Sequence, residues 1–549
     1  MIIMNLKKKI LFLVFLCLSC SLYAQQNLPR IEEYNGIKQL IVNGKPYIML
    51  AGELHNSSSS SLEYMKPVWD KLQKMNLNTV IATVSWELVE PQEGKYDFSL
   101  VEDLINDARK NNLKLVFIWF GTWKNAVSTY VPEWVKTDLT RFPRMKFKPE
   151  NNSDEFSAGG GVFTKAEQTV ALSAWGDATM KADARAFAEL MRFIKKIDSA
   201  QQTVLMIQVE NETGVLGTSR DYLPAAQQTF AQQVPEELLN YLRQHESEKT
   251  NELKQMMQST GNRTSGTWQE MFGYGADEVF MAWHIARYVN YVVKAGKQAY
   301  SLPMYANAWL DPNYYQSLKN DYPCGGPLSK MMTIWRAAAP DVDLLAPDIY
   351  ADDFKWVCAQ YTFAGNPLFI PETNPDIRAS ANVYYALGQY NAICYSPFAI
   401  EGFNDADSKA LGENYGLLSG FLPFWAKNSG KSKSVGFTST PSGREMFELG
   451  DYRIEVNYHQ QRDIGKGIPG SCGLILCTAP GEFYVTGRNI SVNFLPLEGE
   501  KKFVEILSHE EGKFVNGVWQ AGRRMNGDEL YIQIGDQPEF RLIRIHKYQ

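Results

Sequence analysis

From about Tyr47 the chain alternates continuous apolar runs with stretches of helical spacing. "YIMLAGEL", "NTVIATVSW", "LKLVFIWFG" and "TVLMIQVE" predict strands, as do the later runs "PMYANAWL", "VDLLAPDIY", "PLFIPET" and "ICYSPFAIEGF". Between them, "LEYMKPVWDKLQKM", "SLVEDLINDARKN", "DARAFAELMRFIKKIDS" and "EVFMAWHIARYVNYVVKAG" repeat apolar residues every three or four positions and predict helices. Apolar strands alternating with helices imply a parallel sheet covered on both faces. Eight such units over residues 25–430 predict an α/β fold, a (β/α)8 TIM barrel with long loops. The alternative is a doubly wound open sheet. It wants a Gly-rich phosphate turn after the first strand, and "AGELHNSSSSS" is not one.

The longest excursion, residues 214–276, interrupts the pattern after the fourth strand. It carries its own helical stretches, and its Trp268 and Phe272 read equally as a sugar platform or as the insertion's own small core. From about Ser432 the period changes to two. "YRIEVNYHQ", "CGLILCTAP", "EFYVTGRNISVNFLP" and "KFVEILSHE" are short alternating strands with Gly- and Asn-rich turns, which predicts a C-terminal β-sandwich over 431–549.

Residues 1–24 read as a secretory signal. Lys7, Lys8 and Lys9 precede an apolar stretch from Ile10 to Leu18, and Ala24 offers a cleavage point. The expected location is therefore periplasmic or secreted, with lipid attachment at Cys20 as the alternative. The apolar run is short for a membrane span. Loss of three lysines and no acid takes the formal charge from -6 to -9, which argues against nucleic acid or an anionic membrane as partner. Oligomeric state stays open. The odd set of cysteines left after Ala24 matches no disulfide framework, and the six histidines form no zinc-type pair, so neither a catalytic metal nor a cofactor is expected.

In a barrel of this kind the site lies at the C-terminal ends of the strands. Those ends hold Glu53 and His55; Ser85, Trp86 and Glu87; Trp119 and Trp123; Glu210, Asn211 and Glu212; Asn307 and Trp309; Asp348 and Tyr350; Glu372; and Glu401 and Asn404. Carboxylates with aromatics, and no Ser/His pair, fit glycosidic cleavage: one carboxyl protonates the leaving oxygen and another attacks the anomeric carbon or activates water. Each carboxylate has a bland reading as half of an ion pair. His55 reads as an orienting hydrogen-bonder, Trp86 and Trp123 as wall or core, and Glu90 as structural.

Four motifs together carry a resemblance. "QVENETG", "TVSWELVEPQEGKYDFS", "AGELHNSS" and "FIPETN" resemble the fourth, second, first and nucleophile strands of glycoside hydrolase family 35, the retaining β-galactosidases. The C-terminal unit resembles a module of one bacterial branch. The resemblance implies Glu212 as acid/base, Glu372 as nucleophile, Asn211 on the sugar 2-hydroxyl and Glu210 as buried support. His55, Trp86, Glu87, Trp123, Trp309 and Tyr350 complete the expected substrate-binding set. Thr83 stands where the family has tyrosine, and Gly121-Thr122-Trp123 where it has A-E-W. The expectation is an exported exo-β-glycosidase acting on terminal β-D-galactose of plant-type oligo- or polysaccharide side chains. The alternatives are a same-clan enzyme for another sugar, or a catalytically silent carbohydrate-binding protein.

Overall fold

The computed structural model describes residues 28–148, 155–158, 161–164, 170–311, 322–350 and 353–549; the signal segment and Cys20 lie outside the described residues. Eight parallel strands form the centre: β1 (Met49–Glu53), β2 (Thr79–Ser85), β3 (Lys114–Lys124), β4 (Val204–Asn211), β5 (Met304–Trp309), β6 (Leu344–Ile349), β7 (Phe369–Ile370 and Glu372–Thr373) and β8 (Cys394–Tyr395). Pro371 divides β7, because proline has no N–H to give to the ladder. The halves of β7 close the ring. Glu372 pairs with Asp348 of β6, Phe369 pairs with Cys394 of β8, and Cys394 pairs with Met49 of β1. The fold is a (β/α)8 TIM barrel, as the sequence predicts. Helices α1 (Leu62–Lys74), α2 (Ser99–Lys110), α3 (Asp177–Asp198), α4 (Ala276–Ala299), α5 (Met332–Ala338), α6 (Phe354–Tyr361), α7 (Arg378–Tyr390) and α8 (Asp405–Asn428) follow the strands in turn.

Two apolar layers account for the continuous strand hydrophobicity. The barrel interior is filled by residues such as Met49, Ile81, Ile118, Met206, Tyr305, Leu344 and Phe369. Leu40 and Val42, from a three-stranded antiparallel sheet that precedes the barrel, join this interior cluster. The second layer lies between strands and helices, and Val80, Trp119, Phe187, Ile207 and Val289 belong to it.

The excursion after β4 folds into short helices, among them Glu236–Gln244, Asn251–Ser259 and Trp268–Phe272. Trp268 and Phe272 are fully buried, and the Trp268 ring meets Phe280 of α4 at 5.2 Å. Of the two readings of this pair, the structure selects the insertion's own core.

The C-terminal strands form a six-stranded and a four-stranded antiparallel sheet. Ile454, Val456, Ile475, Val485, Val492 and Ile543 pack together in the core that joins them. The sandwich is docked firmly on the barrel. Phe421 and Phe424 of α8 lie 5.0 and 4.8 Å from Phe514, and Glu413 of α8 pairs with the buried Arg488 at 2.7 Å. Gly388 of α7 approaches the backbone of Gly436 so closely that a Cβ would lie 2.7 Å from it. The described cysteines, Cys324, Cys358, Cys394, Cys472 and Cys477, are free thiols. No described helix is long and apolar enough to cross a membrane.

Candidate active site

The end of β4 is irregular, and the irregularity decides where its carboxylates go. Leu115 pairs with Val204 and Val116 with Met206, so Leu205 is an extra residue on β4. Farther on, Trp119 pairs with Val209 and Lys124 with Asn211. Glu210 and Glu212 then adopt left-handed backbone conformations, with φ of 63° and 46°. Such values are uncommon for residues with a side chain and gather at functional sites. Two residues that would share a face of a regular strand are thereby separated.

Glu210 is spent on structure. Its Oε2 accepts the Trp123 backbone N–H at 2.6 Å. Its carboxyl also hydrogen-bonds the buried Asp183 of α3, and burial with the mutual charge holds Glu210 well above the usual carboxylate range. Asp183 in turn accepts from the Trp119 indole at 2.8 Å and the Thr122 hydroxyl at 2.7 Å. Gly121 leaves room for this pair: a Cβ there would lie 2.4 Å from Trp119 Nε1 and 2.7 Å from Glu210 Oε1.

Glu212 joins a different group. One oxygen each of Glu212, Asp348 and Glu372 lies within 4.8 Å of the other two, and all three residues are buried. Each carboxyl has its own donor. Asn125 Nδ2 donates to Glu212 Oε2 at 2.6 Å, Asn307 Nδ2 donates to Asp348 Oδ2 at 2.8 Å, and the Tyr350 hydroxyl donates to Glu372 Oε1. Asn307 Oδ1 also accepts the Glu212 backbone N–H at 3.0 Å. The three carboxyls are close enough to share a cation or a proton, and Asp348 Oδ1 and Glu372 Oε2 are buried without a hydrogen-bond donor.

Burial, followed by the charge of Glu372, pushes Glu212 up to about 7. Burial also raises Glu372, while Lys124 and the Tyr350 hydroxyl oppose the rise. Glu53 is held well above its ordinary value by burial and the Glu372 charge. Both carboxyls are thus raised by burial, with Lys124 and Tyr350 opposing the rise at Glu372, and a buried pair of this kind can hold a proton beside an anion.

The other expected site residues divide. Asn211 is buried and its Oδ1 meets no donor, which leaves it available to a ligand. Tyr350 is 40% exposed and touches Glu372. Trp309 packs on Ala126 and Leu216, one residue from Asn125. His55 is exposed, its ring 5.4 Å from Phe398 and its backbone N–H on Glu401 Oε1 at 3.0 Å.

Two substrate-binding expectations need correction. Trp86 is fully buried in the layer between strands and helices, and its indole donates to Glu90 Oε2 at 2.8 Å. Trp123 lies in the same layer, donates to the Leu172 carbonyl at 3.1 Å and packs on Tyr288 at 4.5 Å. Both rings are core, because large apolar residues at these strand ends face the helices. Glu87 also stands apart from the three carboxylates: it pairs with Lys136 at 2.9 Å and lines a separate cavity of about 370 Å³ with Asn56, Thr83 and Tyr130.

The sequence reading missed Lys124 and Asn125, which follow Trp123, and gave Asn307, Asp348 and Glu53 no role. The run "WKN" on the strand-3 motif was a signal for the first two, hidden by the uneven pairing of β3 with β4.

Comparison with known proteins agrees with the resemblance read from the sequence. Residues 39–135, spanning the first three barrel strands, match the model of Glycosyl hydrolases family 35. Residues 411–534 match a Domain of unknown function (DUF5597). A beta-galactosidase of Xanthomonas manihotis is 36% identical over 81 residues, 14% of this chain and 13% of that protein. Beta-galactosidase 14 of Arabidopsis thaliana is 34% identical over 97 residues, 18% of this chain and 11% of that protein. The matches thus span about an eighth of these relatives' length. Among solved structures, a beta-galactosidase from the psychrophilic Marinomonas ef1 aligns with a TM-score of 0.42 and 11% identity, covering 67% of this chain and 59% of that one. One from Rahnella sp. R3 aligns with a TM-score of 0.43 and 13% identity, covering 70% and 57%.

Proposed function

We propose, from the match of the first barrel strands to Glycosyl hydrolases family 35 and from the carboxylates beyond them, that this chain is an exported, retaining exo-β-glycosidase. It removes terminal β-D-galactose from plant-type oligo- or polysaccharide side chains by double displacement. The observation that carries the reading is the short separation of the buried Glu212 and Glu372 oxygens, within 4.8 Å. Retaining enzymes keep their carboxyls about 5–5.5 Å apart, whereas inverting enzymes leave roughly 6.5–9.5 Å for a water.

Glu372 attacks the anomeric carbon while Glu212 passes its proton to the leaving oxygen. The bond to the aglycone breaks and a glycosyl ester forms on Glu372. Glu212, now a carboxylate, takes a proton from water as that water displaces Glu372 from the sugar. Asn211 bonds the sugar 2-hydroxyl, and Tyr350, Trp309 and His55 contribute to the wall of the subsite. The N-terminal charged and apolar segment supports export.

One observation favours a second sugar. Thr122, at the position of the family's sugar-gripping glutamate, spends its hydroxyl on Asp183, and Thr83 donates to the Asn56 carbonyl at 2.9 Å. Neither supplies the family's usual grip, so another terminal β-linked sugar is the runner-up. A panel of aryl β-glycosides with pure protein tests the reading. Highest kcat/KM on the β-galactoside supports the first sugar, and preference for another β-glycoside supports the second. Binding of sugars without turnover of any β-glycoside refutes both and leaves a silent binding protein.

A further inference from the structure

Asp348 ends β6 and is 2% exposed. Asn307 ties it to the proposed acid/base: the same amide accepts the Glu212 backbone N–H at 3.0 Å and donates to Asp348 Oδ2 at 2.8 Å. The remaining oxygen, Oδ1, is buried and meets no N–H or O–H donor. Asp348 lies within electrostatic reach of Glu53 of β1, Glu212 just beyond β4, Tyr305 of β5, Tyr350 beyond β6 and Glu372 of β7, and Lys124 of β3 acts on Glu53, Glu212 and Glu372. Three of these carboxyls, Glu53, Glu212 and Glu372, feel the Lys124 ammonium, and Asp348 adds a fourth carboxyl to the group. Buried like charges at such distances do not all ionise, so some of these carboxyls keep a proton.

One oxygen of Asp348 and one of Glu212 lie within 4.8 Å of each other, and both side chains are buried. Two ionised carboxylates that close and that buried repel each other, so one of the two keeps a proton and can donate it to the other. Glu212 gives its own proton away in the first step of the reaction. Resting on the retaining mechanism above, we propose that Asp348 is the positioning residue of the acid/base: it keeps its proton throughout turnover and donates it as a hydrogen bond to Glu212. When Glu212 has passed its proton to the leaving oxygen, the Asp348 O–H faces a fresh carboxylate and stabilises it. When Glu212 takes a proton from water, the Asp348 proton stays in place. Burial and the Glu372 charge, which hold Asp348 well above the usual carboxylate range, favour this protonated form.

Asparagine is close in shape to a protonated aspartate. Asp348→Asn can accept from Asn307 through its carbonyl and donate to Glu212 through its amide, whereas Asp348→Ala can do neither. The test is the pH profile of kcat/KM for both variants of the full chain, on the aryl glycoside that the wild type turns over best. The expected result is a loss of at least about 10-fold in Asp348→Ala, with the basic limb moved to higher pH because the Glu212 carboxylate has lost a donor. Asp348→Asn should recover to within about 3-fold of wild type, well under one hydrogen bond's worth, with its basic limb unmoved. The inference falls if Asp348→Asn is as impaired as Asp348→Ala, because Asp348 then works as an anion. It also falls if the basic limb of Asp348→Asn moves down by about one pH unit, because a negative charge beside Glu212 has then been removed. If Asp348→Ala does not fold, the profile of Asp348→Asn decides alone. A wild type inactive on every glycoside overturns the functional reading itself, whereas an active wild type with an inert Asp348→Asn overturns this inference only.

Discussion

The Asn125 amide donates to Glu212 Oε2 at 2.6 Å, from a loop whose backbone is left-handed at Asn125 and Ala126. The bond holds the proposed acid/base in place and favours its charged form. Asn125→Ala should therefore lower kcat by about 10-fold or more, the value of one hydrogen bond to a charged group, and move the basic limb of the pH profile upward. Steady-state kinetics across pH check both effects. An unchanged limb with a raised KM would assign Asn125 to substrate binding.

Glu212, pushed up to about 7, gives the folded protein a pH-dependent stability. Its unfolded value is near 4.3, so between the two the native state binds the extra proton. Stability linked to this group is full below about pH 4.3 and is lost as pH rises through about 7. The melting temperature should consequently fall from about pH 5 to pH 8, and Glu212→Gln should flatten that fall, because glutamine has no proton to lose. Differential scanning calorimetry at a series of pH values reads the slope of each protein.

Gly121 answers for the support beneath the site. A methyl group there meets Trp119 Nε1, Glu210 Oε1 and Asp183 Oδ1 at 2.4, 2.7 and 2.8 Å. Gly121→Ala should destabilise by about 1–3 kcal/mol, as overpacking of a filled core does. Urea denaturation of the two proteins measures it. A variant as stable as wild type would show that the Glu210–Asp183 pair yields easily.

Asn211, whose buried Oδ1 has no partner, is proposed to bond the sugar 2-hydroxyl. That bond strengthens at the transition state, so Asn211→Ala should lower kcat and kcat/KM together. A rise in KM at constant kcat would restrict Asn211 to ground-state binding.

The barrel was legible because its strands are apolar on both faces, and the sandwich because its strands alternate; each period follows from what the faces pack against. The site was legible as a set of strand-end carboxylates but not as an arrangement. Alternation could not separate Glu210 from Glu212, and the structure separates them by left-handed backbone and an extra residue on β4, neither of which has a periodic signature. Trp86 and Trp123 sit at strand ends like site residues, yet their indoles bond to Glu90 and to the Leu172 carbonyl in the outer layer. Lys124 and Asn125 escaped because β3 runs past the expected end of its strand.

The central claim is the division of roles between Glu212 and Glu372, and azide tests it most directly. With a dinitrophenyl glycoside the leaving group departs without a proton, so Glu212→Ala should accumulate glycosyl-enzyme. Azide needs no base; it should restore turnover and give the β-glycosyl azide. Glu372→Ala should accumulate no intermediate, and any azide product it forms should be the α-anomer. Full activity of Glu212→Ala on a natural disaccharide, or an α-azide from that variant, would contradict the assignment and make Glu210 the next candidate for the acid/base.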